Sequence, residues 1–367
     1  MIREGEAAMR KKWSKKKVFL IILLYALALL AVGWGVLSVV VYNENFNKRL
    51  ESYEPLMLRV EDFEGLERTA YDFASDRGQM LKGYMYRWGE AQRGIIVIAH
   101  GFGAGHNAYM DCADFFARNG YYVFAYDATG NDESEGAGVG GVPQGAADLD
   151  HAISFVENSG CFPDLPIALF GHSWGGYSVC SVLSWHPEVK AVIECSGCNA
   201  STDLFEAGGK QQAGDVIYTM IPYIRLYERI KYGSYAARTA MDGFAFSGAA
   251  VLIVHSADDG VVPIEYGLDL FYEKYRNDPR FTFMRYENKG HNDVFRDTAY
   301  LDELNAGFAE WVKALDYDVS AAENEERFRT EKADYIHAHL DRARWSHMLD
   351  GEMFSTFLEF YEAHIMD

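Results

Sequence analysis

An apolar run, Ile167 to Phe170, breaks off into Gly171-His172-Ser173-Trp174-Gly175, and a mostly apolar helical segment follows from Tyr177 to Trp185. This Gly-x-Ser-x-Gly between a strand and a helix constrains the fold more than any other stretch. A strand that turns abruptly into a helix holds its middle residue in a strained conformation, and glycines on either side remove the Cβ atoms that would clash there. Ser173 is then expected at the carboxyl edge of a sheet, above the N-terminus of a helix. A serine alone is a poor nucleophile. It needs a base, an orienting acid and oxyanion donors, and the rest of the chain can be searched for them.

The neighbouring segments supply the sheet. Thr69–Ala74 and Met80–Trp88 alternate around a turn at Asp76-Arg77-Gly78 and read as a hairpin. Gly94 to His100, Tyr121 to Tyr126, Val189 to Glu194 and Ala250 to His255 are apolar runs of the buried parallel type, and Phe281 to Tyr286 reads as a further strand. Helical segments lie between them: Tyr109–Asn119, Gln144–Asn158 and Glu265–Tyr275, with Leu301–Leu315 closing the series. Alternation of this kind predicts an α/β fold, a mostly parallel sheet with helices on both faces and ligand sites at the carboxyl ends of the strands. The alternation stops between Asn199 and Ser247, a stretch rich in Tyr, Met and Ile that reads as a cap inserted over that edge.

Three chemical groups follow three separate strands in the order Ser173, then Asp258 or Asp259, then His291. In that arrangement the histidine takes the serine proton, and the carboxylate holds the imidazole tautomer and stabilises the imidazolium. Backbone N–H groups bind the oxyanion. Three such groups, each after a strand, make the pattern specific where the serine motif alone is not.

The sequence resembles the α/β-hydrolase fold family over residues 66–315, with the serine aminopeptidase and monoacylglycerol-lipase-like branch nearest. The matching motifs are Gly171-His172-Ser173-Trp174-Gly175-Gly176, His100-Gly101-Phe102-Gly103, Asp259-Gly260-Val261-Val262-Pro263 and Gly290-His291-Asn292-Asp293. The resemblance implies a Ser173–His291–Asp259 triad, with oxyanion donors at the Phe102 and Trp174 backbone N–H groups. It selects Asp259 over Asp258, because in that family the acid precedes x-Val-x-Pro. Asp258 is left to bind backbone N–H groups of its loop. Asp127-Ala128-Thr129-Gly130 to Ser134-Glu135-Gly136 resembles a conserved loop of the branch, but Asp132 stands where the family has a second Gly.

Val18 to Tyr42 is 25 residues without a charged side chain, longer than a bilayer core of roughly 30 Å requires. It has no polar face, and it exceeds the ~7–15 residue apolar region of a signal peptide. Ala26-Leu27-Ala28 lies mid-run, and Gly33-Trp34-Gly35 is a poor cleavage site. An uncleaved transmembrane anchor is expected. Arg3, Arg10, Lys11, Lys12, Lys15, Lys16 and Lys17 precede it, and Glu44, Glu51 and Glu54 follow. The positive-inside rule places the N-terminus in the cytoplasm and the catalytic body outside the cell membrane. The organisation predicted is a basic segment 1–17, an anchor 18–42 that contacts the lipid bilayer, a stalk 43–65, the hydrolase domain 66–315 with its cap at about 199–247, and a helical extension 316–367. In the extension Phe354, Phe357, Leu358, Tyr361 and Ile365 form one stripe, as a docking helix would.

The net charge is −20, and with seven of the 34 Lys and Arg placed before Val18 the rest of the chain is more acidic still, which argues against nucleic acid as a partner. No metal is expected. His106, His151, His186 and His255 lack a His or Cys at ligand spacing, and His337 and His339 do not share a helix face. No cofactor is expected either, since Gly136 to Gly141 lacks the Lys-Ser/Thr of a phosphate loop. Cys112, Cys161, Cys180, Cys195 and Cys198 read as small buried residues, and Cys195-Ser196-Gly197-Cys198 lacks the helix start of a redox pair. The expected activity is a membrane-anchored serine hydrolase acting on a small-molecule acyl ester, with cap aromatics favouring an apolar acyl or aryl group. One alternative is an aminopeptidase-like enzyme on short peptides, with Asp203, Glu206, Asp215 or Glu228 binding the substrate ammonium. The other is a non-catalytic binding module, which usually lacks a triad residue.

Overall fold

The computed structural model describes residues 14–90 and 93–365. Most of the basic segment, including Arg3, Arg10, Lys11 and Lys12, therefore lies outside the described residues. The first helix, α1 (Lys15–Phe46), starts at a Ser14 cap and carries the whole apolar run. It continues past Tyr42 through Asn43, Glu44 and Asn45, because hydropathy ends there but helix-compatible residues do not.

Eight strands form one sheet: β1 (Glu67–Ala74), β2 (Met80–Arg87), β3 (Ile95–Ala99), β4 (Tyr122–Tyr126), β5 (Ile167–His172), β6 (Ala191–Cys195), β7 (Ala250–Ser256) and β8 (Phe281–Tyr286). Their spatial order is β1-β2-β4-β3-β5-β6-β7-β8. The β1–β2 hairpin and the β2–β4 pair are antiparallel, and every other pair is parallel. The central strands β3 to β7 are buried along their whole length, as continuous apolar runs require.

One face of the sheet is covered by α3 (Gln144–Asn158), α4 (Trp174–Ser181), α8 (Ala240–Phe246) and α9 (Leu268–Tyr275). The other carries α2 (Met110–Arg118) and α13 (Gly351–Ile365). Phe354, Phe357, Tyr361 and Ile365 of α13 are buried, and the Tyr361 hydroxyl donates to the Leu169 carbonyl at 2.7 Å. The closing helix read at Leu301–Leu315 forms as α10 (Ala299–Lys313), but Tyr300 is its buried residue. Its apolar stripe, Leu301, Leu304, Phe308 and Trp311, is only half-buried and packs on Tyr335 instead of the sheet, which α13 covers in its place. α11 (Glu325–His339) and α12 (Arg342–Trp345) link the two.

The Asn199–Ser247 insertion is mainly helical: α5 (Ser201–Ala213), a 3-10 stretch at Gly214–Thr219, α6 (Ile221–Tyr232), α7 (Ser234–Ala237) and α8. Of residues 43–65, read as a stalk, the first four continue α1, and 47–65 lie on the domain instead of extending from it. Leu58 and Phe63 are buried there, and Leu50 pairs with Asn131. All five cysteines are free, four of them buried and Cys161 exposed.

Candidate active site

Ser173 occupies the turn between β5 and α4 with φ 57° and ψ −119°. A non-glycine residue held at positive φ is a strained position, costing about 1–3 kcal/mol. The neighbours permit it by being glycine: a Cβ on Gly175 would collide with the Ala99 carbonyl, and one on Gly171 with the Gly175 carbonyl. The turn aims the Ser173 hydroxyl at His291, whose Nε2 lies 2.8 Å from Oγ. His291 Nδ1 is 2.7 Å from Asp259 Oδ2. All three groups are buried.

Asp259 is held from several sides. Its Oδ1 accepts the Val261 and Val262 N–H groups at 2.9 and 2.8 Å, and His255 Nε2 lies 3.2 Å from Oδ2. Burial pushes this carboxyl up, but the hydrogen bonds from His255 and His291 outweigh it and hold the group well below the usual carboxylate range. Asp258 faces away from the imidazole. Its Oδ1 accepts the Ser256 hydroxyl at 2.6 Å and the Gly290 N–H at 2.9 Å, which ties the acid-bearing loop to the histidine-bearing one.

His255 and Glu194 lie beneath Asp259 and were not marked by any sequence pattern. Glu194 is fully buried and accepts the Gly197 N–H. Burial raises its carboxyl to about 7, against the pull of His255. Among the described residues, Glu194 Oε2 and His255 Nδ1 have no hydrogen-bond partner.

A second unforeseen element joins the two loops above the sheet. The Gly101 N–H donates to the Tyr109 hydroxyl at 2.9 Å, and that hydroxyl donates to His172 Nδ1 at 2.8 Å. His172 Nε2 in turn donates to the His291 carbonyl at 3.0 Å. The chain works only with a neutral ring, one nitrogen accepting and the other donating. Burial, helped by the charge of His291, lowers His172 to about 3 and keeps it neutral. His100 is likewise buried and lowered. Its Nδ1 donates to the Gly101 carbonyl and its Nε2 accepts the Ala128 N–H. Among the described residues, the backbone N–H groups of Phe102 and Trp174 donate to no other group.

The cavity beside Ser173 measures about 270 Å³, with Phe46, Phe102, Leu204 and Val261 giving it apolar walls. None of the four cap carboxylates considered for an ammonium subsite lines it. Asp203 accepts the Ala200 N–H at the start of α5, Glu206 accepts the Tyr266 hydroxyl, and Glu228 is enclosed with Tyr42 and Ser201. Asp132, the departure from the family loop, has φ 36° and binds the segment that follows α1. Its carboxylate accepts the Ser52 N–H and hydroxyl at 2.6 and 2.7 Å.

Residues 90–242 match the family model described as serine aminopeptidase, S33. Over 107 residues the chain is 29% identical to an uncharacterized 31.7 kDa protein in the traX-finO intergenic region of Escherichia coli. That match covers 29% of this chain and 37% of that protein. An esterase from Pyrococcus furiosus superposes with a TM-score of 0.53 at 15% identity, over 73% of this chain and 97% of its own. A second crystal form of that esterase gives 0.52 at 16%, over 73% and 96%. At such identity the likeness concerns the fold. The chain has the α/β-hydrolase fold, and its residues 90–242 match the serine aminopeptidase S33 family.

Proposed function

We propose that this chain is a membrane-anchored serine hydrolase that cleaves a carboxylic ester through an acyl-enzyme. The observation that carries the reading is the unbroken run from Ser173 Oγ to His291 Nε2 at 2.8 Å and from His291 Nδ1 to Asp259 at 2.7 Å, at a serine held in a strained turn. His291 takes the hydroxyl proton as Oγ bonds to the ester carbonyl carbon. The Phe102 and Trp174 N–H groups receive the oxyanion. As the carbon–oxygen bond to the alcohol breaks, His291 returns the proton to the departing alkoxide. Water then repeats the sequence and releases the acid. Asp259 stays ionised throughout, supported by its four donors.

The lining of the cavity favours an ester over a peptide N-terminus, because an ammonium group would meet no carboxylate there. An intact triad geometry likewise disfavours a non-catalytic module. The basic residues before Val18 support an N-terminus in the cytoplasm and a domain outside. Burial of Tyr42 against the cap, with Phe46 in the cavity wall, supports an anchor that is retained rather than cleaved. The test is labelling of the full-length chain with a fluorophosphonate. Ser173→Ala is expected to abolish labelling and to lower ester turnover by about 10⁴–10⁶. Covalent labelling that survives in that variant overturns the assignment.

A further inference from the structure

Phe46, the last residue of α1, stands in the wall of the cavity beside Ser173. Its ring meets Phe102 edge-on at 5.3 Å between centroids, and Phe102 meets Trp174 at 5.5 Å. The helix thus reaches Phe102, and through it Trp174, the two residues proposed to supply the oxyanion donors.

The helix end is fastened on three sides. The Tyr42 hydroxyl accepts the Val142 N–H at 2.9 Å and donates to the buried carboxylate of Glu228, which also accepts the Ser201 hydroxyl at 2.6 Å. The Tyr227 hydroxyl donates to Asn43 at 3.0 Å. Past the helix, the Arg49 guanidinium donates to the Ser134 and Gly136 carbonyls, and Asp132 holds Ser52. These contacts set the orientation of the domain relative to the helix.

The cap helix α6 lies alongside the same part of α1. The Trp34 indole N–H donates to the Thr219 hydroxyl at 3.0 Å, and Tyr223 packs against Gly35, where a Cβ would come within 2.7 Å of its ring. The cap therefore reaches back along α1 to Trp34. From Val18 to Gly33 there are 16 residues, or about 24 Å of helix, less than the ~30 Å of a hydrocarbon core. The bilayer has to extend past Trp34, to the level of the cap. The opposite side of α1 agrees, since Val36 and Val40 are 60% and 51% exposed. On the cap, Leu226 and Ile230, one turn apart on α6, are 59% and 77% exposed, and Val216 and Tyr218 are exposed before it.

We infer that the anchor helix is a wall of the substrate site and that the cap edge is seated in the bilayer interface, so that the enzyme takes an ester with an apolar chain directly from the membrane. This deepens the serine-hydrolase reading and rests on it. The occupant of the exposed cap surface is the bilayer that α1 itself requires, and the apolar cavity behind Phe46 receives the chain.

The experiment uses the full-length chain in phosphatidylcholine vesicles, with 4-nitrophenyl decanoate and 4-nitrophenyl acetate as probes. Phe46→Ala removes the apolar wall and is expected to lower the decanoate-to-acetate ratio of kcat/KM about tenfold. Phe46→Trp, which fills the cavity from the same side, is expected to lower it as well and serves if the alanine variant does not fold. For the cap, Ile230→Cys in a Cys161→Ser background carries a bimane label, and brominated phosphatidylcholine is expected to quench it at least twofold. Wild type that fails to label with fluorophosphonate overturns the hydrolase reading and this inference together. Labelled wild type with an unchanged ratio in folded Phe46 variants overturns the wall alone, and an unquenched bimane overturns the seating of the cap.

Discussion

At Asp259 and Asp258 adjacent carboxylates face different partners, and substitution should separate them. Asp259→Asn keeps the shape but favours the wrong His291 tautomer, so kcat on a short ester is expected to fall by about 10⁴. Asp258→Asn weakens one link between two loops and is expected to cost no more than about tenfold. Steady-state kinetics on both variants check this, and losses in the reverse order overturn the assignment. The contact of Asp259 with His291 was legible through the family resemblance, because Gly260-Val261-Val262-Pro263 follows Asp259. Its support by His255 was not. His255 lies inside an apolar strand run, and only the backward fold of the loop brings Asp259 to it. Tyr109 was hidden for the same reason: it reads as the start of a helix, and its partner His172 is 63 positions away.

At the scale of elements, local periodicity was informative and long-range polar contacts were not. Helix α3 and strand β8 fall where the pattern predicts, because an amphipathic stripe is a property of neighbouring residues. The clamp between α1 and α6 joins residues 186 positions apart, and no spacing rule reaches that far. It carries a pH dependence. Burial raises the Glu228 carboxyl to about 7 from an ordinary 4.5. The folded chain therefore keeps this proton where the unfolded chain has lost it. The resulting stabilisation is complete below pH ~4.5, is lost as pH rises towards ~7, and amounts to at most about 3 kcal/mol. Glu194, also raised to about 7, adds a change of the same sign. Glu228→Gln should make the fall in Tm between pH 5 and 8 shallower, as calorimetry in detergent can measure; an unaltered slope would show that the clamp does not titrate. Asp132→Gly restores the family residue and relieves a positive φ but releases Ser52 and Asn107. Trypsin is expected to cut after Arg49 several-fold faster in that variant, and an equal rate would mean that Arg49 alone holds the segment.

For the whole molecule, the proposed orientation predicts that a protease added to intact cells or spheroplasts digests the domain. Protection until lysis would place it in the cytoplasm instead. The strands of the sheet and the long apolar helix were legible from the order of apolar runs, whereas the seating of the domain on that helix was not, because it arises from packing between surfaces that each look ordinary in sequence. The position of α13 bears on how such a protein is made. Its aromatic stripe covers β5, which leads into the serine turn, and its neighbour β6. In the proposed orientation the anchor at residues 18–42 would reach the membrane while most of the chain is still unsynthesised, and this face of the sheet would stay open until α13 has left the ribosome. The domain would then cross the membrane as an incomplete fold, so that translocation precedes activity.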